Sequence, residues 1–113
     1  MKENKYFTNL PESGEASGTY KALWAYRHSL SMKLDELELT DFLWKNEVKD
    51  FVQALRKAEI KSFIITNHST GLMEMMHLLS ENGCVLTGLA NVPRPETPFS
   101  DEEVVNGVRF TLN

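Results

Sequence analysis

Few of the 113 residues belong to types that do chemistry, and several of those gather at one turn. Asn67-His68-Ser69-Thr70-Gly71 follows the apolar run Phe63-Ile64-Ile65 and precedes Leu72-Met73-Glu74-Met75-Met76. That order places the turn at the carboxyl end of a strand and the start of a helix, where α/β proteins bind ligands. Exposed N–H groups at a positive helix end suit a small anion. His68 adds a group that titrates near neutral pH. The turn is therefore a candidate small-molecule or anion site. It also has a structural explanation: Ser69 or Thr70 caps the helix and Asn67 makes the turn.

The other reactive side chains are scattered. His28, His68 and His77 include no pair at the i, i+4 spacing of a helical metal site. With one cysteine, a structural zinc has no ligand set. Cys84 opens an apolar run, and burial raises a thiol's pKa rather than activating it. Nothing like a nucleophile elbow surrounds Ser69. No catalytic residue, metal or cofactor is assigned. The segment Trp24-Ala25-Tyr26-Arg27-His28 has the composition of an interface hot spot, although core packing competes for its rings. Met73 lies off the stripe of its helix. Trp24, Tyr26, Arg27, His28 and Met73 are thus the candidate partner surface.

The elements that would hold these residues follow from periodicity. Residues 1–16 form a polar arm in which Pro11, Ser13 and Gly14 disfavour a regular element, with Tyr6, Phe7 and Leu10 available to pin it. Residues 17–113 form the domain. A first helix is predicted over 17–32, with Tyr20, Leu23, Trp24 and Leu30 on one face. Residues 33–39 fit a helix edge and a short half-buried strand alike. A second helix is predicted from an N-cap at Thr40, with Trp44, Val48, Phe51, Val52 and Leu55 at helical spacing. A strand at 61–66, a helix from Ser69 or Thr70, a left-handed stop at Gly83 and a strand at 84–90 make a βαβ unit. Near the end, Ser100 with Glu103 and Phe99 with Val104 match a capping box and a hydrophobic staple. They predict a short helix at 101–106; a hairpin turn at Asn106-Gly107 is the alternative. A final strand covers 107–112.

Composition sets the outer bounds. A chain of this length buries roughly two thirds of its unfolded surface, enough for a single core. The net charge is −4 and the basic residues are dispersed, so the concentrated cationic face that nucleic acid needs is missing. No apolar run reaches the ~18–20 residues of a membrane span, and residues 1–18 lack a signal-peptide core. A lone cysteine suits a reducing compartment. The expectation is a cytoplasmic protein, with no membrane and no nucleic acid among its partners.

From Thr40 onward the order helix, strand, helix, strand, strand resembles the C-terminal half of the GNAT-type N-acetyltransferase fold. The helix EVKDFVQALRKAEI runs into KSFIIT, and a second helix ends at Glu81-Asn82-Gly83-Cys84 before Val85-Leu86-Thr87-Gly88. The resemblance spans residues 40–92 and implies a half-fold. In that family a glycine-rich loop before the first of these helices holds the coenzyme A pyrophosphate. Here that stretch is Leu39-Thr40-Asp41-Phe42-Leu43-Trp44, bulky and carrying a carboxylate. Where the family often has a tyrosine general acid, this chain has Leu79. The resemblance implies shape without the family's cofactor site, and no catalytic residue carries over.

The resulting expectation is a small α/β domain with about three strands and three main helices. Its core should contain Leu23, Val48, Phe51, Val52, Leu55, Phe63, Ile65, Leu72, Met76, Leu79, Val85, Val108 and Phe110. The leading function is a non-enzymatic interaction protein that binds another protein or itself. The alternative is a ligand-binding domain that uses the turn at 67–71.

Overall fold

A computed structural model describes residues 3–10, 17–94, 98 and 103–112. Helix α1 (Lys5–Thr8) is followed by α2 (Ser17–Ser31), strand β1 (Leu37–Leu39), α3 (Lys45–Lys57), β2 (Ser62–Ile65), α4 (Leu72–Glu81), β3 (Cys84–Arg94) and β4 (Glu103–Leu112). The strands form one mixed sheet in the order β1-β2-β4-β3. β1 and β2 are parallel, and β4 runs antiparallel to both its neighbours.

The fold is the small α/β domain expected, with one more strand. Residues 37–39 resolve as that strand, and all three are buried. Leu37 and Leu39 face the helices, in register with Phe63 and Ile65. Glu38 faces the other way. Its carboxylate makes a buried segment look half-exposed in sequence. The adjacent parallel βαβ unit is therefore β1-α3-β2. The predicted unit at 61–90 has the parallel direction but not the adjacency, because β4 inserts between β2 and β3.

The main core lies between the helices and one sheet face. It contains Leu23, Val48, Phe51, Leu55, Phe63, Met75, Leu79 and Phe110. Leu72, Met76 and Val108 pack against it half-buried. Val85 is a correction: it is 46% exposed, because its register with Thr111 puts it on the opposite face. Trp24 also leaves the predicted stripe, at 60% exposure. Ala22, Leu23, Ala25 and Tyr26 face the core instead.

The arm is pinned more firmly than its polarity suggests. Asn4 accepts from the Tyr6 N–H at 3.0 Å and starts the single turn of α1. Phe7 is buried and stacks on Tyr26, with centroids 4.8 Å apart. The Asn4 backbone N–H donates to the Tyr26 hydroxyl and its side-chain amide to the Ala58 carbonyl.

Helix α3 begins at Lys45, not at Thr40. The Glu47 carboxylate accepts from the Trp44 N–H at 2.9 Å and from Lys21 Nζ at 2.8 Å. A buried carboxylate in the first turn thus satisfies the helix end and its dipole. Helix α4 likewise starts later than expected, at Leu72 after Gly71, and no side chain caps it. Gly83 takes the expected left-handed conformation, at φ +89°. At the C-terminus neither earlier reading holds for residues 103–107. They are strand, and Asn106-Gly107 lies within β4. The capping pair Ser100–Glu103 and its partner Phe99 fall partly outside the described residues.

A bulge directs the long β3-β4 hairpin. Leu86 pairs with Phe110 and Gly88 with Arg109, which leaves Thr87 as an extra residue. Gly88 has φ +149°, a conformation side chains rarely adopt. Strand side chains alternate with period two, so one added residue exchanges the faces. Cys84 and Leu86 therefore share the helix side, whereas Ala90, Val92 and Arg94 turn to the other. There Ala90 and Val92 join Leu34 and Ile64 in a second, smaller cluster. Gly107 permits this close crossing. A Cβ there would stand 2.7 Å from the Ile65 carbonyl oxygen and 2.8 Å from Ile64.

Gly18 sets the contact between α2 and α3. A Cβ at that position would collide with the Glu47 carbonyl oxygen and lie 2.8 Å from the Phe51 nitrogen. Gly18→Ala should cost about 2 kcal/mol through helix displacement, read from urea unfolding. Unchanged stability would show that the helices do not meet backbone to backbone.

Candidate functional site

Three places bring unusual chemistry together: a buried carboxylate, a cavity beside the 67–71 turn, and an exposed apolar strip along β3.

The carboxylate is that of Glu38, which is fully buried. Its Oε1 accepts from His28 Nε2 at 2.7 Å and from an Arg94 guanidinium nitrogen at 2.9 Å. Its Oε2 accepts from the second Arg94 nitrogen and from the Thr66 hydroxyl, each at 2.5 Å. Four donors fill the four lone-pair positions of an ionised carboxylate, two of them in the paired geometry of arginine. An ionised carboxylate only accepts, so His28 presents a protonated Nε2. Burial pushes the Glu38 pKa up, but the bonds from Arg94, Thr66 and His28 outweigh it and hold the group below the usual carboxylate range. The Glu38 backbone N–H donates to Ser29 Oγ at 2.8 Å, and that hydroxyl donates to the Ala25 carbonyl. One residue thus ties β1 to α2, to Thr66 at the end of β2 and to the far arm of the hairpin. Alongside, Glu36 accepts two bonds from Arg109 and one from Ser62. Arg109, with smaller contributions from Ser62, lowers its pKa despite partial burial.

The turn divides between two depressions. Asn67 Oδ1 accepts from the Ser69 N–H at 2.8 Å and its amide donates to the Thr40 carbonyl. This is an Asx turn. Ser69, Thr70 and Gly71 line a cavity of about 530 Å³ with Phe42, Leu43, Trp44, Met75 and Leu78. Asn67 and His68 line a smaller hollow with Leu72 and Leu89, and His68 is exposed rather than facing the larger cavity. The expected capping by Ser69 or Thr70 does not occur. Ser69 Oγ is instead buried with no hydrogen-bond partner among the described residues.

The proposed partner residues also separate. Tyr26 is buried beneath Phe7, and its hydroxyl is occupied. His28 is bound to Glu38. Trp24 stays outside, with the Arg27 guanidinium 5.3 Å from its ring centroid. Met73 is 72% exposed and belongs to a different surface. That surface joins Met73, Met76, His77 and Ser80 of α4 to Leu86 and Phe110 in a groove of about 320 Å³. Leu89, at 86% exposure, lies further along β3, beside the hollow with His68 and Leu72. Sequence reasoning missed this strip because Leu86 and Leu89 read as ordinary strand residues. Cys84, at the start of β3, is buried, and burial pushes its thiol up to about 11 against a smaller opposing pull from Arg56. No group of three or more potential metal ligands occurs among the described residues, and no described helix is long and apolar enough to cross a membrane.

The Glu38–Arg94 pair makes a signed pH prediction. A carboxylate held below its unfolded value of ~4.3 stabilises the fold fully above that value and loses the contribution as pH falls. Arg94→Met strands a buried charge and should cost about 3 kcal/mol at pH 7. The difference from wild type should shrink on acidification below about pH 4.5, as Glu38 becomes protonated. Denaturant titrations of both proteins at the two pH values measure this. An equal deficit at both would contradict the latch.

No curated protein and no solved structure matches this sequence. One family model does, described as a domain of unknown function and covering residues 21–112. That span holds α2 through β4, including Glu38, His28, Thr66, Arg94 and the β3 strip. The chain belongs to the DUF7698 family.

Proposed function

We propose that this protein is an interaction module that self-associates through the outer edge of β3. The observation that carries this reading is the contrast between the two sheet edges. The β1 edge is three residues long, and Ser29 occupies the outward Glu38 N–H. The β3 edge is eleven residues long, and no described strand pairs with it on the outer side. Unpaired strand edges recruit further strands unless charge, proline or a covering element blunts them. From Val85 to Asn91 this edge carries no charge and no proline, and no described element covers it. Among the described residues its guard there is the bulge at Thr87.

A second copy of the chain is the partner these features favour. Antiparallel pairing of a strand with itself is two-fold symmetric, the closed geometry of most homodimers. No charged residue lies between Cys84 and Pro93, so two molecules of net charge −4 meet there without local repulsion. The α4 face toward β3 is also uncharged or weakly so, with Met73, Met76, His77 and Ser80. Glu74 lies on the side of α4 that lines the other cavity. Pairing would cover Leu86, Leu89 and Met73 together. Methionine adapts readily to such a surface.

Sedimentation equilibrium at micromolar concentration should give twice the chain mass. Leu89→Lys changes a side chain in open solvent, so it should move stability by no more than about 0.5 kcal/mol. It places a like charge at the pairing edge of each copy and should yield monomer. A wild-type monomer, or a dimer indifferent to Leu89→Lys, overturns the reading.

A further inference from the structure

We propose that the cavity between the start of α3 and the start of α4 binds a neutral one- or two-ring aromatic molecule carrying a hydroxyl group. Its volume of about 530 Å³ falls within the usual range of small-ligand sites. Phe42 and Trp44 line the cavity, with centroids 5.0 Å apart and planes at 83°. Rings so disposed receive a third ring edge-on or face-on. Met75 and Leu78 of α4 line it as well. The Met75 sulfur is held in place by the Leu43 N–H at 3.1 Å, and thioethers favour aromatic neighbours.

The polar content of the cavity selects the substituent. Ser69 lines it, and its Oγ is buried with no partner among the described residues. A buried hydroxyl without a hydrogen bond is costly, and native proteins rarely leave one so. This orphan arises from the local fold. Asn67 takes the Ser69 N–H, and the helix begins three residues later at Leu72, so Oγ has no cap to form. A serine hydroxyl donates or accepts and is neutral. An ionised ligand would need a buried countercharge. The two charged groups at the cavity, Lys45 and Glu74, are exposed and opposite in sign. They supply no net charge for an anion. A phenolic hydroxyl meets Ser69 Oγ as donor or acceptor while its ring lies between Phe42 and Leu78.

The probe pair p-cresol and toluene differs only by the hydroxyl. Amide chemical shifts of the full chain should move saturably at Ser69, Thr70, Gly71 and Met75 with both probes, and p-cresol should bind more tightly. Ser69→Ala should weaken p-cresol about fivefold and leave toluene unchanged. Leu78→Trp fills the cavity and should abolish both, with the remaining spectrum preserved. If that variant does not fold, the probe ratio in Ser69→Ala decides alone. Absent or unsaturable shifts at these residues, or a ratio unmoved by Ser69→Ala, overturn the proposal.

Discussion

The structure depends on one buried negative charge being fully answered. Glu38 sits in the middle of a three-residue strand with no access to water. Desolvating a carboxylate costs several kcal/mol, which only good geometry and complete hydrogen bonding offset. Four donors from three separate elements supply both. Arg94 is the decisive one, because it arrives on the far arm of a hairpin 56 residues away. For it to arrive at all, Thr87 must bulge and Gly107 must lack a side chain. The bulge sets which side of the arm faces inward, and the glycine allows the arm to cross over Ile64 and Ile65.

The same constraint makes the two edges unequal. Anchoring β1 brings α2 and Ser29 against it, and that edge closes. Turning Ala90, Val92 and Arg94 inward leaves Leu89 on the outward side of a long strand that no described element covers. Helix α4 meets β3 across a shallow groove, and Leu86 and Met73 remain exposed at its rim. The exposed strip is thus the geometric counterpart of the buried latch. Association through β3 would give this apolar surface an interior.

What was legible in sequence was whatever local periodicity decides. The stripe Val48-Phe51-Val52-Leu55, the run Phe63-Ile64-Ile65 and the stop at Gly83 all lie where spacing and backbone preference put them. Phe7, Leu23 and Leu79 pack as their chemistry suggests. The failures share a cause. Glu38 reads as solvent-facing because its partner is far along the chain. Val85 and Leu89 change meaning with strand order and with a bulge that no local pattern marks. Residues 103–106 carry helix-start chemistry, but pairing with the β3 arm overrides it. At the turn, Ser69 has the right identity for a cap and the wrong offset from Leu72, so its hydroxyl is left buried beside a cavity with no partner among the described residues. The interface composition of residues 24–28 dissolved for a similar reason, since Tyr26 and His28 are taken by Asn4 and Glu38.

Hydrogen exchange along β3 as a function of protein concentration tests the central claim most directly. If the latched hairpin presents an edge that pairs with a second copy, outward amides between Val85 and Asn91 gain protection as concentration rises, while the β1 amides, closed within each chain, stay constant. Protection of β3 that does not change with concentration would contradict it.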